Sequence, residues 1–142
     1  MSDFFVAGSW RNRDAVEEVL AALDAAGAST YCFVRAGYSA AGAALAAPGG
    51  ADAADLGSAA VQDVFEQDLQ ALRAAERFLL VLPAGQAAHI EAGIAYGLGT
   101  PCYAVGPVER SETLYRIFDR MFRDAGELQR WSASTRTDQP GG

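Results

Sequence analysis

A chain of 142 residues, 51% of them hydrophobic, has the length for one domain with a proper core. Eleven Lys and Arg against 18 Asp and Glu leave a net charge of −7, which argues against wrapping a nucleic acid polymer or docking on anionic membranes. One histidine and two separated cysteines cannot furnish a His/Cys zinc cage, so no metal is expected. No apolar run approaches the ~18 residues of a membrane span and no basic leader opens the chain, so the expected location is cytoplasmic.

Residues 3–8 (DFFVAG) form a short apolar run ending in Gly-Ser, which predicts a first strand and its turn. Asn12 is the expected N-cap of a helix in which Val16, Val19, Leu20 and Leu23 share one face, and Gly27 closes it. Residues 30–34 (TYCFV) predict the second strand. The composition then shifts: fifteen of the 22 residues between 36 and 57 are Ala or Gly. That excursion is expected to be mobile, either a lid over a site or an inert insert.

Helical periodicity resumes over 58–75 through Val61, Val64, Phe65, Leu69 and Leu72, with Asp68 set among them. An acid in an apolar stripe has a reason to be there, either in a site or in a helix-edge pair with Arg73. Residues 79–106 (LLVLPAGQAAHIEAGIAYGLGTPCYAVG) organise the rest. They read as a buried strand over 78–82, a Pro-Ala-Gly turn, a helix over 86–98 and a second strand over 101–105. Such a unit is a right-handed parallel crossover. Glu91 is its one acid, flanked on the same face by Ala87 and Ala95, which are too small to cover it. On residues alone it is either a presented reactive group or a solvated helix acid, and its place near a helix N-terminus, whose dipole favours the charged form, predicts an ionised carboxylate. Gly93 and Gly97 keep the helix slim enough for a sheet or partner helix to come close. Leu114, Ile117, Phe118 and Met121 predict a further helix, and residues 133–142 an unstructured tail after a single domain over 1–132.

The element order predicts a three-layer α/β/α sandwich, flavodoxin-like or Rossmann-like, with a parallel sheet of four or five strands ordered 2-1-3-4 at its start. The topological switch point then lies between the first and third strands, below Glu91. Three strand spacings of about 4.8 Å, roughly 14 Å in all, would separate Cys32 from Cys102. That is beyond the ~7 Å reach of a disulfide.

The segment A-x-x-E-A-G-x-A-x-G-x-G-x-P between two strands, together with FFVAGSWRNR and FEQDLQALRAAERFLLVLPAG, resembles the nucleoside 2-deoxyribosyltransferase-like family over roughly residues 3–106. The family includes base-exchanging transferases and hydrolases of nucleotide N-glycosidic bonds. The resemblance implies that Glu91 is the nucleophile and that Asp68 contacts the base or a sugar hydroxyl. It implies a substrate pocket of Phe5, Gly8, Ser9, Trp10, Arg11 and Arg13, with Gly85 and Gln86 from the opposite turn. In the hydrolase branch a similar Gly-Ser turn with Arg holds a 5′-phosphate, and Ser111, with Thr113, would reach the site from a neighbouring subunit.

Two positions depart from the family. Phe5 replaces a tyrosine that orients the glutamate, and Glu76-Arg77 replaces an Ala-Asp step. The expected activity is cleavage or transfer of the N-glycosidic bond of a (deoxy)nucleoside or nucleoside monophosphate, without a cofactor, in a homodimer or higher oligomer. A non-catalytic nucleotide or nucleotide-sugar sensor on the same fold is the alternative. His89, two residues from Glu91, is expected on another helix face as a structural or rim residue.

Overall fold

The computed structural model describes residues 2–138. Five parallel strands, β1 (Phe4–Ala7), β2 (Thr30–Cys32), β3 (Arg77–Val81), β4 (Cys102–Val105) and β5 (Arg120–Phe122), form one sheet in the order β2-β1-β3-β4-β5. Helices α1 (Arg13–Ala25), α2 (Ala40–Ala46), α3 (Ala59–Ala74), α4 (Gln86–Gly97) and α5 (Ala125–Asp138) connect and cover it. This is the expected sandwich, with five strands.

The strands alternate with period two, and each set of side chains founds its own core. Phe4, Val6, Leu79 and Val81 point to α1 and α5, where they meet Val16, Leu20, Leu23 and Leu128. Phe5, Ala7, Phe78 and Leu80 point to the opposite side and meet Leu72, Ala88, Ala92 and Ala95. Both faces are covered, which is why β1 is buried at all four positions. The order also keeps Cys32 and Cys102 apart, and both are free and buried.

Several expectations are corrected. The stretch around Leu114–Met121 is not one α-helix. It makes a 3-10 turn, Thr113–Ile117, and then β5. Phe118 and Phe122 supply the buried anchors, while Leu114 lies 71% exposed. Residues 133–138 are not an unstructured tail but the end of α5, so the boundary at 132 falls inside a helix. Leu128, fully buried, and Trp131, packed on Tyr103 and Phe122, pin that helix to the sheet. The remainder of the expected tail, 139–142, lies outside the described residues.

On α3 only Leu72 of the apolar stripe is fully buried, and Phe65 remains 54% exposed. On α4 the alanine face, not Gly93 and Gly97, lies on the sheet. A side chain at either glycine would meet nothing within 4 Å.

The 36–57 excursion is folded against the body. Ser39 caps α2 by accepting from the Gly42 N–H at 3.1 Å, and α2 packs on α3, with Gly42 against Val64. The indole N–H of Trp10 donates to the Ala46 carbonyl.

Candidate active site

The site begins where β1 and β3 end. A Cβ at Gly8 would lie 2.6 Å from Val16 Cγ2, so glycine lets the chain leave β1 this close to α1. A 3-10 turn, Trp10–Asn12, follows, with the Ser9 hydroxyl accepting from the Arg11 N–H at 3.2 Å. Asn12 stands at the N-cap position of α1 but makes no cap bond. Its Nδ2 instead donates to the Leu82 carbonyl at 3.1 Å, tying the lip after β1 to the lip after β3. Because α1 leaves β1 toward one face and α4 leaves β3 toward the other, the two lips diverge and a crevice opens between them.

That crevice is a cavity of about 660 Å³. Phe5, Gly8, Ser9, Trp10, Arg11, Gly85, Gln86, Asp68 and Glu91 all line it. Arg13 does not. Its guanidinium lies over the Trp10 ring, 5.3 Å from the centroid, and pairs with Glu17 at 3.3 Å. Ser111 is exposed beyond β4 and is not in the lining, and Thr113 bonds to Glu112. His89 also lies outside the lining. Its Nδ1 bonds the Gly85 carbonyl at 2.8 Å and its Nε2 the Tyr115 hydroxyl at 2.9 Å, which ties α4 to the turn before β5.

Glu91 is partly buried and, among the described residues, makes no hydrogen bond or ion pair. Burial first, and then the nearby Asp68 charge, push its carboxyl up to about 8. A helix dipole favouring the ionised form was the expectation. Glu91 is the sixth residue of α4, however, past the first turn in which that dipole acts, and desolvation wins.

Asp68 pairs with two phenols rather than with Arg73: the Tyr31 hydroxyl donates to it at 2.8 Å and the Tyr38 hydroxyl at 2.7 Å. Burial, then the hydrogen bond to Asp68, push Tyr31 up to about 12, and the same causes raise Tyr38. The sequence reading missed both tyrosines. No local signal marks them: it is the β1–β2 register that sets Tyr31 beside Phe5, with rings stacked at 5.4 Å. Of the two roles expected for the excursion, the cover over a site is the one the lining supports: Leu45, Pro48 and Asp52 form one wall, so that segment belongs to the cavity.

The arrangement places two carboxyl groups from α3 and α4 against an apolar floor, with Arg11 at the rim. Among the described residues no three His, Cys, Asp or Glu side chains converge as metal ligands. No helix of the described residues is long and apolar enough to cross a membrane.

No family model and no curated protein sequence matches the chain. Among solved structures, the 2-deoxyribosyltransferase of the psychrotolerant bacterium Bacillus psychrosaccharolyticus is similar with a TM-score of 0.68 over 93% of each chain, at 17% sequence identity. At that identity the likeness is one of architecture: this chain has the α/β fold of a 2-deoxyribosyltransferase.

Proposed function

We propose that the chain is an enzyme that cleaves or transfers the N-glycosidic bond of a (deoxy)nucleoside or nucleoside monophosphate, with Glu91 as nucleophile. The observation that carries this reading is the convergence of Glu91 and Asp68 on one cavity at the switch point of this fold. A furanose with its base fits within a volume of about 660 Å³.

Ionised Glu91 attacks the anomeric carbon. The carbon–oxygen bond to Glu91 forms as the carbon–nitrogen bond breaks, and the bonding pair leaves on the base nitrogen, which takes up a proton. Positive charge that builds on the sugar meets the two partly buried carboxylates, where such attraction is stronger than in open water. In the second step a nitrogen of another base, or water, attacks the same carbon and loses its proton to solvent, while the carbon–oxygen bond breaks and its pair returns to the Glu91 carboxylate. The first outcome is transfer and the second hydrolysis.

Phe5 and Trp10 offer apolar and aromatic surface for the base. Arg11, without an ion pair among the described residues, and the Gly8-Ser9 turn suit a 5′-phosphate, with Gly85 and Gln86 across the crevice. Arg13 is assigned to the packing of Trp10, not to substrate.

The same reading includes a homodimer or higher homo-oligomer. Ile90, Tyr96 and Leu98 stand exposed on or beside α4, next to the open surface at Gly93 and Gly97. Ser111 would act from a neighbouring subunit. The buried, unpaired thiols of Cys32 and Cys102 suit a reducing cytoplasm.

The test is incubation with ribo- and deoxynucleosides and their monophosphates, alone and with a second free base. Free or exchanged base is expected from wild type and not from Glu91→Gln. No base release from any member of the panel contradicts the proposal.

A further inference from the structure

Asp68 is held through one oxygen only. Both phenols, Tyr31 at 2.8 Å and Tyr38 at 2.7 Å, donate to Oδ1, and Oδ2 makes no hydrogen bond among the described residues. The two donors come from different bodies. Tyr31 belongs to β2, its ring stacked on Phe5 and its hydroxyl also accepting from Gln67 Nε2 at 3.3 Å. Tyr38 stands at the root of the 36–57 segment, next to the cap residue of α2.

A carboxylate with one tether rotates about its terminal torsion and exchanges its oxygens. Two donors converging on one oxygen remove that freedom and leave the second oxygen as the acceptor open to a ligand. Burial and the neighbouring carboxylate keep both phenols protonated, so they stay donors through the working pH range.

We propose that Tyr31 and Tyr38 are positioning residues, which fix Asp68 with Oδ1 tied and Oδ2 presented to an O–H or N–H of the substrate, and that Tyr38 thereby couples the 36–57 segment to that carboxylate. The inference rests on the substrate assignment above, and the first arm of its test does not.

That first arm is phenol ionisation followed by ultraviolet difference absorbance, with Tyr31→Phe identifying the Tyr31 component. With Tyr31 pushed up to about 12 by burial and then by Asp68, Asp68→Asn is expected to bring its midpoint down by about one unit. An unchanged midpoint overturns the inference.

The second arm is a cycle of rates on the nucleoside panel. Tyr31→Phe and Tyr38→Phe keep the rings and the packing, and each lowers kcat/KM about tenfold. In an Asp68→Asn background neither lowers it further, because the carboxylate through which they act is gone. Losses that add to that of Asp68→Asn, or wild-type rates in both phenylalanine variants at matched Tm, overturn the positioning role. A panel without any base release contradicts the function proposed above, and the titration then decides the inference by itself.

Discussion

The face of the sheet under α1 and α5 is filled by large side chains: Phe4, Val6, Leu79 and Val81 meet Val16, Leu20, Leu23 and Leu128 with no carboxylate in that cluster. The face under α3 and α4 starts from equally large strand residues, Phe5, Phe78 and Leu80, but α4 answers with Ala88, Ala92 and Ala95. Small residues bring α4 down onto the sheet and set Glu91 at the edge of the cavity at its upper end. Alternation along the same strands thus serves two ends. One face holds the chain folded, and the other accepts a partly buried Glu91, without a hydrogen bond or ion pair among the described residues, that desolvation penalises.

If that division holds, the sharpest way to break it is Glu91→Gln. The shape stays and the charge goes, and base release falls about a thousandfold or more, roughly 4 kcal/mol in the barrier. Tm stays level or rises, because the amide carries no burial penalty of an ion. A large loss of Tm would place Glu91 among the stabilising residues and erase the contrast.

The converse variant is Leu20→Ala on the closed face. Removing a fully buried leucine costs about 3 kcal/mol of stability. The rate per folded molecule should stay at the wild-type value, measured below the new Tm. A specific loss of turnover would mean the two faces are coupled.

How far this was legible in the sequence follows the same contrast. The unit from β3 through α4 to β4 could be read because its strands are continuous apolar runs bounded by Pro-Ala-Gly and Gly-Thr-Pro, and those elements fix the crevice. β5 could not, because only Phe122 of its three residues is buried and an edge strand that short carries no alternation. Nor could α5, whose hold on the sheet rests on Leu128 and Trp131 in an otherwise polar stretch. Tyr31 and Tyr38 lie 37 and 30 positions from Asp68, and only the folded register brings them to it. The charge state of Glu91 was misjudged for a related reason. It depends on α3 and on the cover from 36–57, neither of which is local to α4.

A smaller effect sharpens the electrostatic half of the comparison. With its carboxyl pushed up to about 8, Glu91 is mostly protonated at pH 7, so kcat/KM should rise about tenfold between pH 7 and 9 and then level. Stability runs the other way. The folded carboxyl keeps a proton that the unfolded chain releases near 4.5. This contribution is therefore fully present below about 4.5 and lost as pH rises through about 8. Denaturant titrations across that window should show a decline of a few kcal/mol at most in wild type and a flatter profile in Glu91→Gln. Equal slopes would contradict the burial of the charge.

The smallest expected effect belongs to Trp10→Phe, which removes the indole donor to the Ala46 carbonyl while keeping an aromatic ring beside Phe33. The excursion loses one tether, and KM should rise roughly threefold with kcat little changed, a loss under about 1 kcal/mol. An unchanged KM would separate the excursion from the site.

The central claim is that Glu91 bonds to the sugar, and the most direct measurement is mass spectrometry of enzyme quenched in acid during turnover of a 2′-deoxynucleoside. The account predicts a deoxyribosyl adduct on the peptide that contains Glu91, absent from Glu91→Gln. An adduct on a different residue, or turnover that accumulates no adduct and survives in Glu91→Gln, would contradict it.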